Sequence, residues 1–160
     1  MIRAAVAADV DAICGLVREL AAYERLEHEV SLTSEAMARH LFGPRPHAEV
    51  LIAEEAGQVV GFALFFHNFS TFLARPGIHL EDLYVQPAHR GHGHGTRLLR
   101  AVASLAVERG CGRCEWSVLD WNEPAIAFYR TVGAVPMDDW TTFRLAGEPL
   151  CAFARGRPLH

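Results

Sequence analysis

The stretch that most limits the possible folds is a strand, a glycine-rich turn, a helix and a second strand. Ile78 to Val85 reads as an apolar strand, and Thr96 to Arg109 as a helix with Leu98, Leu99, Val102 and Leu105 on one side. Arg113 to Leu119 reads as the next strand. Two strands joined by a helix within one sheet run parallel, because a short hairpin turn cannot connect them that way. The chain therefore needs a sheet with at least one parallel pair and a helix packed on it.

The remaining pattern fits around that unit. Ile2 to Val6 is a short first strand. Asp9 is placed to cap a helix reaching about Tyr23, with Val10, Ile13, Leu16, Val17 and Leu20 at helical spacing. Ser31 to Ser34 offers caps for a second helix over Glu35 to Phe42, ended by Gly43 and Pro44. Val50 to Glu54 and Val59 to Phe66 flank Glu55-Ala-Gly-Gln58, which predicts a hairpin. Asn68 to Gly77 looks like an irregular loop. Asn122 can cap a helix with Glu123 and Pro124 in its first turn, continuing to Val132. Trp140 to Leu145 and Leu150 to Ala154 read as two final strands, with Trp116, Trp121 and Trp140 as packing residues. Strands and helices mixed in this way indicate an α/β (α+β) sandwich. With 160 residues and no repeat or linker, one domain over 1–160 is expected.

Charge and cysteine usage exclude several classes. The net charge is −4, and no face gathers Lys and Arg as a nucleic-acid footprint would. No apolar run approaches the roughly 20 residues of a membrane-spanning helix. The start Met-Ile-Arg-Ala-Ala-Val lacks a signal-peptide core, so the expectation is a cytoplasmic protein. Cys111 and Cys114 form a C-x-x-C, but Cys14 and Cys151 do not complete a zinc set by spacing, and all four read as reduced thiols.

The turn itself is Arg90-Gly-His-Gly-His-Gly95. A helix start carries unpaired N–H groups and the positive end of the dipole, so it attracts anions. Gly91, Gly93 and Gly95 remove side chains that would block phosphate oxygens, and Arg90 adds charge. The segment lacks the Lys of a G-x-x-x-x-G-K-S/T loop. It has G-x-G-x-G where a dinucleotide fingerprint needs G-x-G-x-x-G, although Glu115 lies at a suitable distance. His89, His92 and His94 carry metal-binding atoms, but a metal site would need the loop to turn those side chains inward together. The expectation is no metal, with the histidines as solvent-facing fillers between glycines.

Arg90 to Gly95 also matches the Arg/Gln-x-x-Gly-x-Gly/Ala loop of the GNAT acyltransferases. The resemblance extends over nearly the whole chain. Leu80-Glu-Asp-Leu-Tyr-Val85, Trp121-Asn-Glu-Pro-Ala-Ile-Ala-Phe-Tyr129, Gly133-Ala134 and Glu19-Leu-Ala-Ala-Tyr-Glu24 resemble the spermidine/spermine and thialysine N-acetyltransferase branch. The loop alone says only acyl-CoA transferase; the Trp-Asn-Glu-Pro stretch is more specific.

The resemblance implies a mixed central sheet, helices on both faces and a splayed parallel pair between the strands at 78–85 and 113–119. It implies acetyl-CoA as co-substrate, held by Leu83, Tyr84, Val85, Arg90, Gly91, His92, Gly93, His94, Gly95 and Thr96, with Asn122 and Pro124. It implies Tyr129 as general acid for the CoA thiolate, and a homodimer. Glu81 is the expected base, directly or through water. Strand alternation puts Glu81 and Asp82 on opposite faces unless a bulge intervenes. Tyr23, Glu24, Glu81 and Asp82 are the expected contacts to a small-molecule amine: a polyamine, a diamine or a lysine-like amino acid. An antibiotic, a protein lysine or N-terminus, or a CoA-binding module without catalysis, are the competing functions. No nucleic-acid or membrane partner is expected.

Overall fold

A computed structural model of the chain describes residues 1–156. Its centre is a five-stranded sheet in the order β1-β2-β3-β4-β5. The strands are β1 (Ile2–Ala4), β2 (Glu49–Glu55), β3 (Gln58–Ser70), β4 (Arg75–Val85) and β5 (Cys114–Glu115). The first four pair antiparallel. The last pairing, β4 with β5, is parallel, as the helix between them requires.

Three helices belong with the sheet: α1 (Val10–Tyr23), α2 (Ser34–Phe42) and α3 (His94–Glu108). Ile13, Leu16 and Leu20 of α1 and Leu41 of α2 form one buried cluster with Val50, Ile52, Phe62 and Tyr84. The register explains the choice of face. Ile52 stands opposite Phe62, and Phe62 opposite Tyr84, so all three project to the same side. The other face carries α3, whose Leu98, Leu99, Val102 and Ala106 are buried.

The hairpin between β2 and β3 turns on Ala56 and Gly57, with φ of 49° and 80°. Two consecutive residues at positive φ make a tight turn that matches the twist of the flanking strands. The turn leaves Glu55 as the last residue of β2, opposite Gln58.

Several expectations need correction. Asn68 to Gly77 is not an irregular loop. β3 and β4 continue their ladder to Ser70 opposite Arg75, closed by Thr71 to Ala74. Phe69 pairs with Pro76 there, and a ladder held by backbone bonds does not need alternating side chains. Asp9 does not cap α1 with its side chain. Its carboxylate instead receives two bonds from Arg3, at 2.8 and 3.0 Å, and one from Val6 N–H at 2.7 Å.

From Asp120 onward the chain forms a second compact unit. It contains α4 (Glu123–Thr131) and α5 (Gly147–Ala154). The strands expected at 140–145 and 150–154 do not form. Residues 141–146 are irregular, and Leu150 to Ala154 are helical. A short apolar run reads equally as strand or buried helix. Here Glu148 and Pro149 sit in the first turn, where an acidic residue and proline both favour a helix.

Candidate active site

The strand β4 carries the first part of the site. Leu64 of β3 faces Asp82, whereas Phe65 faces Leu80. Glu81 is therefore an extra residue in β4, a bulge. Pairing with β5 ends before it, covering only Ile78 with Cys114 and His79 with Glu115. Beyond His79, among the described residues, β4 has a strand partner on the β3 side alone. That is the expected opening of the parallel pair. It frees backbone groups along one edge of Leu83 to Val85 for an extended ligand.

The bulge separates two carboxyls of different character. Glu81 is exposed, with one oxygen 3.5 Å from His79 Nε2. Asp82 is half-buried, and its pKa is pushed up to about 7, by burial first and then by the nearby charges of Glu81 and Glu24. Glu24, just past the end of α1, is raised as well, by burial. The structure thus brings together Glu24, Glu81 and Asp82, three of the residues expected to meet an amine. Glu19 was not foreseen as part of this region. It accepts from Gln86 Nε2 at 2.9 Å and lies 3.3 Å from the Tyr84 hydroxyl.

The glycine-rich turn follows β4. Gly91 and Gly93 have φ of 81° and 76°, which explains glycine at both. Helix α3 begins at His94, two residues before the expected Thr96. Gly95 is thus a helical residue, not a loop one. The N–H groups of His94, Gly95 and Thr96 lie in the first turn and have no acceptor within the helix. A side chain at Gly91 would meet nothing within 4 Å, so the turn has room for a diphosphate against its backbone. These features fit the pyrophosphate of acetyl-CoA.

Arg90 is braced rather than loose. Its Nε donates to the Val85 carbonyl at 2.9 Å, and its guanidinium lies 5.1 Å from the Tyr23 ring centre and 5.6 Å from that of Tyr84. Tyr23 thus orients the arginine beside the turn.

His89 and His94 are not solvent-facing fillers, whereas His92 stays exposed as expected. His94 is buried, at 4% exposure, and all three rings gather on Glu55. His89 Nδ1 lies 2.5 Å from one oxygen, His92 Nδ1 3.3 Å from the other, and His94 Nε2 3.4 Å from the first. The side chains do gather on one carboxylate, with His94 turned inward and His92 exposed. The β2–β3 turn supplies the carboxylate, and no spacing in the sequence links residue 55 to residues 89–94.

In the second unit, Asn122 caps α4 by accepting from Ala125 N–H at 3.4 Å, and Pro124 lies in the first turn. Tyr129 follows two turns later, half-buried, its ring 5.5 Å from that of Phe128.

The family model described as the acetyltransferase (GNAT) family matches residues 16–134. The chain belongs to the GNAT acetyltransferase family. Thialysine N-epsilon-acetyltransferase of Mus musculus is 36% identical over 93% of this chain and 94% of its own. L-ornithine N5-acetyltransferase of Arabidopsis thaliana is 33% identical, over 94% and 86% respectively. Among solved structures, integron cassette protein VCH_CASS6 of V. cholerae superposes with a TM-score of 0.81 at 24% identity, covering 97% of each chain. The sheet and the helices on both its faces are thus those of a GNAT fold.

Proposed function

We propose that this GNAT enzyme transfers the acetyl group of acetyl-CoA to a primary amine of a small molecule carrying a second cationic group: a diamine, a polyamine or a lysine-like amino acid. The observation that carries this reading is the carboxyl group set of Glu24, Glu81 and Asp82 at the point where β4 loses its parallel partner. A half-buried acid whose pKa is raised further by two neighbouring carboxylates gains by receiving a cation. The names of the mouse and Arabidopsis relatives point to the same class, since thialysine and ornithine each carry two amino groups.

The reaction assigns each group a task. An ammonium of pKa about 10.4 must lose its proton before it attacks. Asp82, with a pKa near 7, is better matched to accept it than an ordinary carboxylate. Glu81, exposed beside it, steers the ammonium in and serves as the relay to water. Glu24 and Tyr23 meet the far end of the amine. The free nitrogen attacks the thioester carbonyl, whose oxygen is polarised by N–H groups at the open edge of Leu83 to Val85. The C–S bond breaks, and Tyr129 donates its phenolic proton to the departing thiolate. Acetyl passes directly between the two substrates in a ternary complex. Arg90, the N–H groups of residues 91–96 and the α4 start at Asn122 and Pro124 hold the CoA.

The enzyme reads as one catalytic domain over 1–160, acting as a homodimer in the cytoplasm. Trp140, Phe143 and Phe153 support the dimer, being 77%, 94% and 67% exposed and too apolar to favour water. The free thiols suit a reducing compartment. Burial, and after it Cys111, raises the Cys114 pKa, which keeps it a thiol and argues against redox work.

An amine panel with acetyl-CoA tests the reading, following CoA release. Lysine analogues, ornithine, putrescine and spermidine are expected to give the highest kcat/KM. Equal rates on monoamines of similar size would remove the role of the carboxyl cluster.

A further inference from the structure

The cluster under the glycine-rich turn is left unused by acetyl transfer, which needs only backbone N–H groups there. Glu55, His92 and His94 each place one ligating atom so that all three lie within 4.8 Å of one another. His92 Nδ1 and His94 Nε2 stand 3.3 and 3.4 Å from the carboxylate oxygens of Glu55. Ligands about 2.1 Å from a tetrahedral metal are themselves about 3.4 Å apart. The two distances run to different oxygens of Glu55, both are longer than a good hydrogen bond, and the three ligating atoms are near enough for one cation to draw them together.

The second observation is His94 itself. Its ring is 4% exposed, yet Nε2 makes no hydrogen bond, the one such buried side-chain atom among the described residues. The nitrogen is aimed at the Glu55 carboxylate from 3.4 Å, near enough to attract it but too far for a good hydrogen bond. His89 adds the outer support that metal ligands commonly have: its Nδ1 bonds Glu55 at 2.5 Å and fixes the carboxylate's orientation.

We propose that Glu55, His92 and His94 bind a zinc-class divalent cation that ties the β2–β3 turn to the CoA loop. Two imidazoles with one carboxylate suit zinc and its transition-metal neighbours, whereas magnesium and calcium prefer all-oxygen sets. A fourth position remains for water. The His94 ring faces Arg97 at 3.0 Å through Nδ1, so Nε2 carries the ring proton when no metal is bound. Loading moves that proton to Nδ1 and releases the exposed Arg97 side chain to solvent. The ring stays neutral, and no redox change occurs. The cation sits on the side-chain side of the turn, so the backbone donors of residues 91–96 stay available to the diphosphate. Its net charge with Glu55 is +1, which favours an anion there.

The test uses the full chain without a histidine tag and Co2+ as a visible probe that Zn2+ displaces. One equivalent of Co2+ is expected to give the strong visible absorption of a low-coordinate site, and Zn2+ to raise Tm. Glu55→Gln and His92→Asn, both at exposed or half-exposed positions, should weaken Co2+ binding about 100-fold or more. Cys111→Ser with Cys114→Ser should leave it unchanged. Absence of the one-equivalent site, its survival in Glu55→Gln and His92→Asn, or its loss in the cysteine variant would each overturn the proposal. None of these readouts depends on which amine is acetylated.

Discussion

Asp82 of β4 stands directly opposite Leu64 of β3, while the next pair along is Leu80 with Phe65. That one-residue slip leaves Glu81 unpaired and exposed and turns Asp82 into a half-buried acid. Two adjacent carboxyls thereby acquire different surroundings.

The first prediction concerns their pH dependence. Asp82 has a native pKa near 7, above its value in the unfolded chain. As the proposed base it must be ionised, so kcat/KM should rise with pH through about 7. Asp82→Asn should remove that limb and lower kcat about 100-fold or more. Stability runs the other way. A raised native pKa stabilises the fold below the unfolded pKa, and this is lost as pH rises through 7. Asp82→Asn should therefore raise Tm at pH 8 while barely changing it at pH 4. Calorimetry at both values checks this. Glu81→Gln should mainly raise KM for the amine.

The second prediction isolates Tyr129. Tyr129→Phe keeps the ring and its stacking on Phe128 at 5.5 Å but deletes the phenolic proton. As general acid, its loss should lower kcat about 100-fold with little change in KM for acetyl-CoA. Solvent isotope effects should change with it. A variant at full kcat would move the acid role elsewhere.

How far these elements were legible in the sequence varies with their cause. The βαβ unit, the α1 face and the β2–β3 hairpin follow from periodicity, because each buries a face of its own making. The Asn122 cap and the residues of the glycine turn follow from local chemistry. Other features depend on pairing across the chain. The β3–β4 ladder at Asn68 to Gly77 is held by backbone bonds between residues that show no strand pattern. The bulge at Glu81 was only a possibility until the register with Leu64 and Leu80 was known. Glu55 meeting His92 and His94 joins two segments far apart in sequence, which spacing does not reveal. Leu150 to Ala154 is ambiguous by length, and its apolar residues alone do not choose helix over strand.

The third prediction separates two glycines that look equivalent in sequence. Gly93 sits at φ 76°, and a side chain there would meet Arg97 Nη1 at 3.2 Å. Gly93→Ala should cost about 1–2 kcal/mol and raise KM for acetyl-CoA. Gly95 lies inside α3, with only Val85 at 4.0 Å from an added Cβ. Gly95→Ala should therefore gain about 0.5–1 kcal/mol of stability. It should still raise KM for acetyl-CoA if residues 91–96 hold the diphosphate as proposed. Chemical denaturation together with CoA titration separates the two effects.

The last prediction concerns the join between β1 and the segment leading into α1. Arg3 grips Asp9 through two bonds at 2.8 and 3.0 Å, and Glu54 through its Nε at 2.9 Å. Asp9 is buried, and its pKa is lowered chiefly by the hydrogen bond from Arg3. The sign follows from linkage: a depressed carboxyl pKa stabilises the fold above the unfolded value near 4 and is lost as pH falls through the native one. Asp9→Asn should cost about 2 kcal/mol at pH 7, since it removes charged hydrogen bonds and leaves Arg3 with Glu54 alone. At pH 3 that difference should be smaller, because the unfolded chain is then stabilised by protonating this carboxyl. Arg3→Met leaves Asp9 buried without its cation and should cost more at pH 7 than Asp9→Asn. Urea unfolding of both variants at the two pH values decides the ranking.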